Sequence, residues 1–213
     1  MLSYPSPPSR DGESETGRDP CTMTELEKMR RGEAYCLFDP ELSRLRDTAR
    51  RACNAFNTSE PMEADGSSEI LRDLFGSAED GFFIEAPFRC FYGFNIHIGR
   101  NAYINVNGVL IDTAPIRLGD DSLIGPGTVL ACTDHDRDPH RRAAGMEWGK
   151  PITIGARAWI GANVTVLPGV TIGEDVIIGS GSLVSRDIPA GVVAFGNPAR
   201  VAGPAVKSDS LDV

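Results

Sequence analysis

The sequence has no Cys-x-x-Cys pair, and its five cysteines (Cys21, Cys36, Cys53, Cys90 and Cys132) are odd in number and widely scattered. That spacing indicates neither a disulfide framework nor a zinc site, so the cysteines read as reduced thiols and no metal is expected. Long apolar runs are missing as well: no stretch approaches the roughly 18 residues that cross a bilayer. Residues 1–20 are rich in Pro, Ser and acids where a secretory leader would be apolar. A soluble, cytoplasmic protein with no membrane partner is expected. Positive charge is scarce, with 21 Lys and Arg against 30 Asp and Glu and a formal net charge of -9. Without a long basic cluster there is no face for a phosphate backbone, so no nucleic-acid partner is expected. A small anionic ligand needs only a few local cations and stays open.

What is present divides the 213 residues into unequal parts. Residues 1–22 have the composition of a disordered tail, and residues 204–213 form a second, C-terminal tail. A helical unit is expected over 23–80. Thr24 followed three residues later by Glu27 reads as a capping box that opens a short helix through about Glu33. Asp39 before Pro40 supplies an N-cap and a first-turn proline, and Leu42, Leu45, Ala49, Ala52 and Phe56 continue at helical spacing. After a polar, turn-rich stretch over 58–66, residues 68–75 predict a third short helix stopped by Gly76.

The remaining segment, 81–203, has a period of six. Ile154, Ile160, Val166, Ile172, Ile178 and Val184 are each six residues apart. An earlier block runs Ile98, Ile104, Leu110 and then, after an eight-residue step, Leu118, Ile124, Leu130. A helix would show a period of 3.6 and an ordinary strand a period of two; a repeat of six puts one short strand and one turn into each unit. Three units close a triangular coil, and stacked coils bury the aliphatic residues in columns. The glycines that follow many of these positions are expected at the turns, where a positive φ would crowd a Cβ. Residues 134–150 break the period and are expected to leave the coil as a loop, and long loops in a compact domain are usually functional.

On these residues the chain resembles the hexapeptide-repeat acyltransferases. The resemblance rests on the repeat itself, on PFRCFYGFNIHIG (87–99), on the spacing of Asn105, Asn107 and Asp112, on Asp134-His135 before the insertion, and on GKPITIGARAWIGANVTVLPGVTIG (149–173). EKMRRGEAY (27–35) and GNPARV (196–201) narrow it to the maltose, galactoside and nodulation-type O-acetyltransferases. The resemblance implies a mainly β fold, a left-handed parallel β-helix with a small helical unit. It also implies a homotrimer and acetyl-CoA as co-substrate.

Moving acetyl from a thioester to a hydroxyl calls for a base, and histidine suits that role near neutral pH. Three histidines occur: His97 in a strand and expected to point outward, His140 among arginines of the insertion, and His135 where the repeat stops. Position and resemblance together make His135 the candidate base. The resemblance further implies catalytic or acceptor contacts at Asn105 and acceptor contacts at Phe91, Asp112 and Glu147. For Glu147 two readings stand: it orients His135 or holds an acceptor hydroxyl, or it is a solvated carboxylate. Cofactor contacts are implied at Trp159, Ala162, Ser180, Ser185, Arg186 and Arg200. By the six-residue count Asn105 and His135 fall on different faces, so a shared site forms most easily at an edge or where two subunits meet. Phe91 replaces a polar residue usual in the family, and Cys36 stands where sugar-acetylating relatives often carry an acid. Both departures weaken hydrogen bonding to a sugar, the acceptor the resemblance favours, and open the alternative of a less polar hydroxylated metabolite. Cys132 as a covalent nucleophile, and a coil that serves only as a binding scaffold, are the remaining alternatives.

Overall fold

In the computed structural model, which describes residues 23–59 and 69–205, the chain turns a corner after each short strand, and every third strand stacks in parallel on the one below. Three sheets result, one per face of a prism, in about six coils, the left-handed parallel β-helix expected from the sequence. The first face carries Ser77–Ala78, Ile96–Ile98, Ile116–Leu118, Ile152–Ile154 and Thr171–Ile172. The second carries Phe83–Ile84, Tyr103–Ile104, Leu123–Ile124, Trp159–Ile160, Ile177–Ile178 and Val192–Gly196, and Ala199–Pro204 folds back antiparallel on its last strand. The third carries Phe88–Cys90, Gly108–Ile111, Val129–Ala131, Thr165–Val166 and Leu183–Val184. Because Ser77–Ala78 already pairs with Ile96–Ile98, the coil begins slightly before residue 81.

All twelve aliphatic positions of the repeat are buried, none more than 3% exposed. They meet in register: Ile104 pairs with Ile124, Ile124 with Ile160 and Ile160 with Ile178, so each column is a continuous apolar stack. The glycines of the repeat work differently from the expectation. A Cβ on Gly161 would lie 2.6 Å from the Ser180 amide nitrogen of the next coil, whereas the left-handed φ falls two residues later, on Asn163. Close stacking of coils, not turn geometry, excludes a side chain at that position.

The helical unit closes one end of the coil. Thr24 forms the expected capping box on α1 (Glu25–Arg30), which stops short of Glu33. A short strand β1 (Tyr35–Cys36), not foreseen in the sequence, precedes α2 (Pro40–Thr58), whose N-cap is Asp39. Leu42, Ala49, Cys53 and Phe56 are its buried positions; Leu45 and Ala52 are half-buried. With Leu71 and Phe75 from α3 (Glu69–Leu74) and the residue after it, Cys53 and Phe56 join the coil's own core, so the unit is a lid on that core and not a free-standing domain. The expected tail over 1–22, Cys21, most of the polar stretch after α2 and residues 206–213 of the expected tail over 204–213 lie outside the described residues, while Pro204 of that tail ends the last strand.

The insertion after Cys132 is a structured arm. Thr133–His135 and Met146–Gly149 run antiparallel, α4 (Pro139–Ala143) joins them, and β1 adds to the outer edge. The arm departs and returns at one place, where the Lys150 amide donates to the Cys132 carbonyl (2.9 Å). Leu130 stacks directly on Val166, so the coil resumes its register beyond the excursion. Among the described residues no helix is long and apolar enough to cross a membrane.

Candidate active site

His135 ends the strand that leaves the coil, and antiparallel pairing sets it opposite Glu147. Its ring is about half exposed (48%), and Nδ1 lies 3.6 Å from Glu147 Oε2. Glu147 is only 5% exposed, which removes the solvated-carboxylate reading. The other oxygen, Oε1, accepts the hydroxyl hydrogen of Tyr35 at 2.5 Å. Tyr35 is fully buried, on the third strand of the arm sheet, directly across from Glu147. Three strands from two parts of the chain thus align a phenol, a carboxylate and an imidazole in one row. Burial raises the Glu147 carboxyl above its ordinary range, opposed by the Tyr35 hydrogen bond and by the charges of His135 and Arg46. Burial, and then the facing carboxylate, push the Tyr35 hydroxyl upward, which keeps it a donor. Tyr35 carried no signal in the sequence, because the contact depends on β1 reaching the arm.

The remaining candidates separate. Asp112 is completely buried: Oδ1 accepts the amides of Phe91 and Tyr92 (2.9 Å each) and Oδ2 that of Gly93 (2.7 Å). In the single chain it holds the turn that presents Phe91. Burial lifts its carboxyl to about 6 against the pull of those amides. Asn105 follows the strand Tyr103–Ile104 on the second face, and its Oδ1 accepts the Val106 amide (2.8 Å). His135 continues from the third face, so within one chain no hydrogen bond joins the two. Phe91 is 40% exposed and lines a cleft of about 500 Å³ between α2 and the third face. Cys36, on β1, donates its amide to Glu25 Oε2 (2.6 Å).

His97 is half-buried, with Nδ1 3.0 Å from Ser77 Oγ, so the expected outward surface residue is partly covered by the start of the coil. His140 is exposed on α4. Cys132 is buried, and burial pushes its thiol up to about 12, which argues against a thiolate nucleophile. Cys53 and Cys90 share a thiol–thiol hydrogen bond with sulfurs 3.6 Å apart and form no disulfide. Toward the C-terminal end of the coil, Trp159 (53% exposed), Ser180, Ser185, Arg186 and Arg200 are open to solvent, and Ala162 donates its amide to Ser180 Oγ (3.1 Å). Among the described residues no group of His, Cys, Asp and Glu could hold a metal ion.

Comparison with known proteins agrees with this architecture. Residues 28–79 match the maltose acetyltransferase hexapeptide capping motif, and residues 151–186 match the bacterial transferase hexapeptide of six repeats. The chain is 42% identical to nodulation protein L of Rhizobium meliloti (strain 1021), over 85% of its own length and 100% of the relative's. A maltose O-acetyltransferase from Clostridium difficile 630 superposes with a TM-score of 0.83 at 38% identity, over 87% of this chain and 99% of that one. A galactoside acetyltransferase solved in complex with coenzyme A gives 0.82 at 36% identity, covering 88% and 94%. The coil with its helical lid is thus a hexapeptide-repeat architecture. The chain belongs to the hexapeptide-repeat acetyltransferases, in the branch that carries the maltose-acetyltransferase capping motif.

Proposed function

We propose that this protein is an acetyl-CoA-dependent O-acetyltransferase that acetylates a hydroxyl of a small acceptor by direct attack, with His135 as general base. The observation that carries the reading is the row Tyr35, Glu147, His135. With Nδ1 turned toward Glu147, Nε2 is left to take the acceptor proton. The acceptor oxygen then bonds to the thioester carbonyl carbon, and the oxyanion collapses with loss of the CoA thiolate. The proton held on His135 passes to that sulfur, which returns the base to its starting form. The buried carboxylate sets the tautomer and offsets the charge that the imidazole acquires.

The resemblance assigns Trp159, Ala162, Ser180, Ser185, Arg186 and Arg200 to the cofactor. The exposure of all but the half-buried Ala162 toward one end of the coil suits a long polyanion that needs amides and a few cations along its length. The same reading gives Asn105 to the acceptor or to catalysis, and a homotrimer brings faces of neighbouring coils together. An apolar column supports assembly: Phe83, Tyr103, Leu123, Trp159, Ile177 and Val193 lie in register on the outer side of the second face. A site completed by a neighbour would unite Asn105 and His135, which one chain leaves apart.

His135→Ala tests the assignment. Loss of a general base should lower kcat by about 10²–10⁴, and circular dichroism should stay as in the wild type because the ring is half exposed. A variant retaining wild-type turnover of acetyl-CoA with its acceptor would refute it.

A further inference from the structure

The cleft beside Phe91 has a chemistry of its own. Its volume of about 500 Å³ suits a small organic molecule. Phe38 and Phe91 stand 45% and 40% exposed at its walls, and Leu37 and Val109 extend the apolar lining. Hydroxyls turned toward those walls would find no partners, so a polyol could be met only on the charged side of the cleft.

The charge in the cleft is the opposite of the protein's. In a chain of net charge -9, three guanidiniums, of Arg46, Arg50 and Arg89, face this space against the single carboxylate of Asp47. Two of the three are committed. Arg46 donates to the Tyr92 hydroxyl (2.6 Å), the Leu37 carbonyl (2.6 Å) and Ser43 Oγ (3.1 Å). Arg50 pairs with Asp47 at 2.9 Å. The side chain of Arg89, on the outer side of the strand Phe88–Cys90, has neither a hydrogen bond nor an ion pair among the described residues.

The cleft also adjoins the arm that carries the base. Arg46 lies close enough to Glu147 for its charge to act on that carboxyl. The wall residue Leu37 follows β1, which carries Tyr35, and its amide donates to the Gly145 carbonyl of the arm (2.9 Å). A molecule seated against Phe38 and Phe91 is therefore next to the elements that hold His135.

Resting on the transferase reading above, we infer that the acceptor is an apolar hydroxylated carboxylic acid: its hydrophobic body lies against Phe38 and Phe91, and its carboxylate meets the uncommitted guanidinium of Arg89. One free cation matches one negative charge, and the planar fork of arginine fits a carboxylate through two parallel hydrogen bonds.

The test uses the full chain with acetyl-CoA and three acceptors: 4-(hydroxymethyl)benzoate, its neutral isostere 4-(hydroxymethyl)benzamide, and methyl galactopyranoside. Released CoA thiol and product mass are the readouts. The benzoate should exceed the benzamide in kcat/KM by about tenfold or more, the scale of one charge-assisted contact. In Arg89→Gln that ratio should fall toward one, with circular dichroism reporting that the variant is folded. Added salt should also erode the ratio, since the guanidinium is exposed. A wild-type ratio near one, a ratio unchanged in Arg89→Gln, or turnover of the galactoside with the benzoate silent would overturn the acceptor inference and leave the transferase reading intact. Silence of all three, with CoA still bound, would overturn both.

Discussion

Replacing Tyr35 by Phe removes one oxygen from a fully buried ring and leaves its packing in place. Glu147 Oε1 then loses its hydroxyl donor while the carboxyl stays 5% exposed. A hydrogen bond to a buried charge is worth about 1.5–3 kcal/mol. For a domain of this size that lowers Tm by about 3–12 °C, at about 2–4 °C per kcal/mol. A second consequence separates a role in catalysis from one in stability alone. Burial already raises the Glu147 carboxyl, and the Tyr35 hydrogen bond is the foremost group opposing it. In the variant the carboxyl ionises at still higher pH. If His135 works only beside an ionised Glu147, the acid limb of the kcat/KM profile moves to higher pH. Thermal denaturation and a pH–rate series on the same preparation measure both effects. A lowered Tm with an unmoved profile would show that the row of three groups supports the arm and does not tune the base, which would refute the mechanism as drawn.

Two further outcomes follow from the core. Because the Asp112 carboxyl is lifted from 3.8 to about 6 in the folded chain, the native state holds its proton more tightly than the unfolded one. The stabilisation is present below about 3.8 and is lost as pH rises through about 6, so urea unfolding should show stability declining across that window. Asp112→Asn should flatten that decline while lowering stability overall, since an amide cannot accept from both sides of the turn at Phe91 to Gly93; an undiminished slope in the variant would exclude Asp112 as its source. Ile160→Ala opens a cavity in the middle of a stacked column and should cost about 2–5 kcal/mol by denaturant titration. A loss well under that range would mean the coils relax into the space, contrary to the tight stacking that excludes a Cβ at Gly161.

The contrast between Asp112 and Glu147 illustrates how far the sequence reaches. Both were acceptor candidates by resemblance, and both carry the same functional group. Asp112 is saturated by three amides of a neighbouring turn, while Glu147 is left with one phenol and an imidazole. Nothing in the spacing of the two distinguishes those fates, because the partners come from elsewhere in the chain. The place of His135 in the fold was legible for a different reason: a break in a strict repeat marks a place in the fold as well as in the sequence.

The coil itself was determined locally. An aliphatic residue every six positions leaves a parallel prism as the arrangement that buries all of them, and the capping signals at Thr24 and Asp39 are contained within a few residues of the helices they start. Contacts between distant segments decided the rest. The arm's two strands pair with each other, and β1 adds a third from a distant part of the chain, which sets Tyr35 against Glu147. Arg46, Arg50 and Arg89 became one cleft because α2 packs across the third face. Periodicity acts within a few residues, whereas a buried charge and its partners are brought together only when the chain closes on itself.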